Sequence, residues 1–236
     1  MRCLFLGLAA AAVLACASVA DAAVITPTSV TYNGTASEAP GLSLDDESNT
    51  INGNGLTAAL LADESNLATV THDSVLLSGA GNAWATIDAG SPGGDWFTAG
   101  QNDGTVIFGF DLGGSFLVDS FAAWGYHFGS HNGNSISNVT LDFSTDGTGA
   151  IVDSSQTIAV AQPGAINLAT IVALTATNAN FITMTVNDNH FGAANTDGGD
   201  RVGVAEIRFT SVPEPSSLAL VGLALVGLVG VARRRS

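Results

Sequence analysis

Lysine is absent from the chain, and beyond residue 16 so is cysteine. The basic residues are all arginines, and Arg2, Arg233, Arg234 and Arg235 lie at the two ends. Residues 22–212 therefore hold Arg201 and Arg208 against 19 aspartates and glutamates, a formal charge of −17. A stretch so anionic repels phosphate backbones and acidic membrane surfaces, which excludes nucleic acid as a partner. Cys3 and Cys16 are the two cysteines, so a mature chain lacking the first segment has no disulfide and no thiol chemistry. Charged residues make up only 11% of the chain and hydrophobic ones 46%, a balance that folds rather than stays disordered. The 236 residues, less their end segments, amount to one domain.

Enzyme motifs are also missing. The chain has no Gly-x-Ser-x-Gly, no His-Glu-x-x-His and no phosphate-binding loop. Gly53-Asn54-Gly55 imitates part of a dinucleotide fingerprint, but no strand precedes it and it reads as a loop. His72, His127, His131 and His190 are dispersed, and the glycine-rich stretch around His127 and His131 does not favour a shared metal. A non-catalytic protein is expected.

Both ends read as addresses. Residues 1–22 combine Arg2, an apolar run from Leu4 to Leu14 and a small-residue region, which together make a secretory signal peptide. Cleavage after Ala22 is preferred over Ala20, and the rival lipoprotein reading at Cys16 suffers from the bulky Leu14. At the other end, residues 218–232 form an uninterrupted apolar run followed by Arg233, Arg234 and Arg235. As a helix this run spans about 22 Å, short of the roughly 30 Å hydrocarbon core, so it makes a marginal anchor. The arginines hold the C-terminus on the cytoplasmic side. Pro213 and Pro215 keep Val212 to Ser217 extended, a form suited to a processing cleft.

The order Val212-Pro213-Glu214-Pro215, apolar helix, arginine cluster resembles the PEP-CTERM sorting signal of Gram-negative bacteria that make exopolysaccharide. The resemblance implies export by the secretion machinery, cleavage by signal peptidase, and transient residence in the inner membrane. It also implies processing by an exosortase and delivery to the cell surface or extracellular matrix. A plain tail anchor would explain the helix and arginines without the proline-glutamate-proline.

Between the ends, residues 23–211 alternate apolar and polar side chains in short runs: GTVIFGF, NVTLDF, FITMTV and VAEIRF. SPGGD, STDGTG and NTDGGD supply turn residues between them. About eight such segments predict an all-β antiparallel sandwich or barrel, with one short helix over Leu56 to Ala62. The closing strand is expected over Val202 to Thr210, with Ile207 and Phe209 facing the core. A sugar site needs an aromatic platform beside polar groups, and Trp96, Trp124, Tyr126 and His127 are the candidates. A hard cation needs several oxygens. The repeated Asp-Glu-Ser-Asn of SLDDESN (43–49) and LLADESN (60–66) could supply them, as could Asp188, Asp197 and Asp200, placed in one loop.

FDLGGSFLVDSFAAWGY (110–126), LDFSTDG (141–147) and VGVAEIRF (202–209) resemble the strand-turn-strand, hairpin and closing strand of the galactose-binding-like, or discoidin-like, jelly roll. The resemblance implies a jelly-roll β-sandwich and a structural calcium held by early-loop oxygens and the last-strand glutamate, here Asp63 and Glu206. The family's early Asp-Gly-x-x-x-Thr-x-Trp segment has no counterpart before residue 100. The resulting expectation is an exported, non-catalytic β-sandwich that binds or organises exopolysaccharide. The alternatives are a structural adhesin or matrix component without a ligand, and a secreted glycan hydrolase.

Overall fold

Alternation at period two is what a half-buried strand requires, and the computed structural model turns each of the four alternating runs into one. It describes residues 22–39, 44–73, 82–88, 94–98, 104–127, 132–193 and 197–212. Among these the strands are β1 (Ala23–Ile25), β2 (Ser29–Tyr32), β3 (Trp84–Ala85), β4 (Val106–Gly125), β5 (Ile136–Ser144), β6 (Ser154–Ala159), β7 (Thr170–Asn189) and β8 (Gly203–Ser211). The strands lie within one compact unit, Ala23–Ser211.

β4 and β7 each run for 20 residues and pair antiparallel along most of that length. Their register shifts between Asp111 and Phe116, where Gly113 takes a φ of +74° and donates its N–H to Asp111 Oδ1 at 2.8 Å. The expected turn at Asp-Leu-Gly is therefore an irregularity inside one strand, the kind of break that bends a sheet. The bend lets each long strand serve two layers. The first half of β4 pairs with β2, and its second half with β8. The second half of β7 pairs with β5, which carries β6 at the edge.

Side chains crossing between the layers form the main core. Phe209 of β8 meets Phe110 from the first half of β4 at 5.7 Å and Phe121 from the second half at 5.9 Å. Phe110 and Phe209 belong to strands that do not pair there, so their contact spans the sandwich. The closing strand is confirmed: β8 lies between β1 and β4, and Ile207 and Phe209 are fully buried.

A second, smaller core lies on the outer face of the β4–β8 layer. Ala122, Trp124 and Tyr126 point that way, where Leu44, Leu67 and Val70 cover them. Trp124 fastens the cover by donating its indole N–H to Val70 O at 2.9 Å. The helix expected at Leu56 to Ala62 is absent, because the segment is spent on this cover. Thr57 N donates to Thr71 O, Leu61 N to Asn66 Oδ1, and Ala62 O accepts from Val24 N. Seven residues have too little intrinsic helical stability to resist such long-range bonds.

Candidate functional site

The segment before β8 is tied to chain from four other places. Thr86 N donates to Val202 O, Trp96 N to Gly199 O and Gly133 N to Asp197 O, at 2.8, 2.8 and 3.1 Å. Two buried asparagines complete the lacing. Asn134 Oδ1 accepts the Gly199 N–H, and Asn189 Nδ2 donates to Gly199 O at 2.8 Å and to Arg201 O at 2.9 Å. The same Asn189 takes the Phe191 N–H on its Oδ1 at 3.0 Å. Saturated amides of this kind hold irregular backbone in one geometry.

Two side chains emerge from that frame. Phe191 is 43% exposed, with its ring lying against Gly199, where an added Cβ would come within 2.4 Å of the ring. Gly199 has a φ of +111°, so both space and backbone demand glycine there. Arg201 extends to Asp88, its Nε–H on Asp88 Oδ1, with the two side chains 27% and 51% exposed. Tyr126 lies beneath, against Gly203. Burial raises the Tyr126 phenol above its ordinary value, while the charge and hydrogen bond of Arg201 pull it the other way. Phe97 is half-buried, its ring edge-on to Trp96 at 4.9 Å. Arg201 and Asp88 present donors and an acceptor, and Phe191 presents an apolar ring, the kinds of group a carbohydrate needs for hydrogen bonding and stacking.

This arrangement corrects the expected aromatic platform. Trp96, Trp124 and Tyr126 are 1%, 0% and 1% exposed, so none presents a face to a ligand. Strand alternation turns Trp124 toward the cover, and Trp96 packs into the main core. His127 is half-buried just past β4, and burial lowers its pKa. Sequence reasoning missed Asp88, Phe191 and Arg201. The rarity of basic residues was the available signal, since Arg201 is one of only two in residues 22–212.

The acidic repeats have a local role. Asp46 Oδ1 accepts the Ser48 N–H at 2.9 Å, and Asp63 Oδ1 accepts the Ser65 N–H at 3.2 Å and its hydroxyl at 2.8 Å. Each Asp-Glu-Ser is thus a turn closed by its own aspartate. Those bonds hold the Asp63 carboxyl below its usual range. Asp146 does the same in the β5–β6 hairpin, accepting from the N–H groups of Thr148, Gly149 and Ile151. Asp188 lies in β7 and not in the loop with Asp197 and Asp200. Among the described residues no group of three or more His, Cys, Asp or Glu is placed to hold a metal.

Of the sorting residues only Val212 is described; Pro213, Glu214, Pro215 and Arg233 to Arg235 lie outside the described residues. No described helix is long and apolar enough to cross a membrane, and the 218–232 run falls outside the described residues.

Similar solved structures include the family 32 CBM from C. perfringens NanJ in complex with galactose. It is 17% identical, covers 80% of this chain and 99% of that one, and has a TM-score of 0.43. The lectin-binding domain of lectinolysin complexed with Lewis b is 13% identical over 79% and 94% of the two chains, at 0.45. A Streptococcus pneumoniae fucose binding module is 11% identical over 80% and 94%, also at 0.45. Comparison with curated proteins yields no match. The family model that matches is the PEP-CTERM protein-sorting motif, over residues 211–235, and the chain therefore carries that motif from Ser211, the final residue of β8, onward.

Proposed function

We propose that this is an exported, exosortase-processed surface protein whose β-sandwich binds neutral polysaccharide without catalysis. The sorting motif supports export and surface delivery. The observation that carries the binding reading is the partly exposed Asp88–Arg201 pair, on a segment whose Arg201 carbonyl is bonded by the same Asn189 amide that takes the N–H of the exposed Phe191. A guanidinium paired with a carboxylate offers donors and an acceptor side by side, which suits adjacent sugar hydroxyls. Its net charge is zero, and the surrounding domain carries −17, so a polyuronate or sulfated glycan would be repelled.

The test is retention of the surface-released protein on the exopolysaccharide of its own producer and on a neutral glycan array. Arg201→Ala and Phe191→Ala should each weaken retention tenfold or more, on the order of 1.4 kcal/mol, while the melting temperature stays near wild type. Wild-type retention that both variants match would refute the site, and preferential binding of acidic glycans would refute the charge argument.

A further inference from the structure

Glu206 and Arg208 sit two residues apart on β8 and so share a face, the outer one beneath the cover. Both are buried: their side chains are 0% and 5% exposed. Arg208 Nη1 pairs with Glu206 Oε1 and donates to Ile207 O at 2.7 Å, and Nη2 donates to Ile51 O at 2.9 Å. Glu206 Oε2 accepts the Gly53 N–H at 2.9 Å. The pair therefore satisfies one carbonyl and one N–H of the same turn, 51–53, the guanidinium serving the first and the Glu206 carboxyl group the second.

Calcium does not fit this donor set. It asks for six to eight oxygens at 2.3–2.6 Å, and here one carboxylate oxygen faces an N–H and the other a guanidinium. A metal beside Arg208 would meet a like charge, and it could not satisfy the Gly53 N–H. A cavity of about 400 Å³ adjoins Arg208, but its walls include the aliphatic Leu56, Ala58, Ala59 and Leu60. Asn52, also on its wall, already spends its amide on Asn49 Oδ1 and the Asn54 N–H. Asp63 is exposed and bonded to Ser65.

We infer that Arg208 is the cation of this site, a guanidinium in the role that the sequence resemblance assigns to calcium, and that the pair latches the 51–53 turn to β8 without a metal. A pair of side chains built into the chain is present at every calcium level, so the cover stays closed where a metal-dependent fold would open. The inference rests on the β8 geometry alone and is independent of the glycan reading.

The experiment compares the surface-released protein in EDTA and in millimolar calcium chloride by thermal melting, with amide exchange read at Gly53. The two wild-type melting curves should superpose. Arg208→Met should lower the melting temperature and speed exchange at Gly53 by at least tenfold, since it leaves a buried carboxylate unpaired. The double replacement Glu206→Leu with Arg208→Met should recover most of the lost melting temperature, because no buried charge remains. A calcium-induced rise in wild type that Glu206→Gln abolishes would overturn the inference, as would unchanged Gly53 exchange in a folded Arg208→Met. If that variant does not fold, the wild-type comparison and the double replacement still decide.

Discussion

Replacing Phe209 by alanine tests the two-layer core at the point where it is most concentrated. The ring is fully buried on β8 and makes ring contacts with Phe110 and Phe121, one from each half of β4. Loss of a fully buried phenyl ring costs about 3–5 kcal/mol, combining lost transfer free energy with the cavity left behind. The upper half of that range applies if the neighbours cannot close in. Phe110 and Phe121 are held by ladder bonds of a strand paired on both sides, so collapse around the hole is restricted. With a urea slope near 2 kcal/mol per molar, the midpoint should fall by about 1.5–2.5 M with the slope unchanged. A domain of ordinary stability, roughly 5–15 kcal/mol, survives that loss but with little margin. The control is Phe191→Ala at the 43% exposed ring, which should cost under about 1 kcal/mol. Equal midpoints for the two variants, or a Phe209→Ala loss below about 1 kcal/mol, would refute the placement of Phe209 between the layers.

Two further outcomes follow from titration and from the ends. His72, His127 and His190 are all lowered from 6.5 by burial, so the unfolded chain takes up their protons first; the stability they contribute is present above about 6.5 and is lost as pH falls through the folded values. Glu206 runs the other way, since burial outweighs Arg208 and pushes it from 4.5 up to about 7, and its contribution is lost as pH rises across that window. Between pH 7.5 and 5.5, His72→Gln should therefore lose less urea midpoint than wild type and Glu206→Gln more; the reverse order would contradict both burial assignments. Intact-mass measurement of surface-released protein should find a chain beginning near Ala23 and ending between Pro213 and Ser217, and recovery of a species retaining Arg235 would defeat the processing claim.

The sequence by itself determined the strands, because alternation such as Val106, Phe108, Phe110 or Ile182, Met184, Val186 is a property of neighbouring residues. Turn chemistry is equally local, so the Ser-Thr-Asp-Gly hairpin was legible, and the sorting motif, an ordered string at the end of the chain, was readable in full. What only the tertiary structure decided are the consequences of distant segments meeting. Trp124 follows the strand period faithfully, yet its exposure depends on whether chain from 44–73 folds across it. The short helical preference at Leu56 to Ala62 lost to hydrogen bonds from Val24 and Thr71, partners that no window around residue 59 contains. Arg201 and Asp88 are separated by 113 residues, and Phe191 is placed against their segment by the Asn189 amide and by Gly199. Local periodicity encodes which way a side chain leaves its strand; what it meets there depends on packing between segments far apart in the chain.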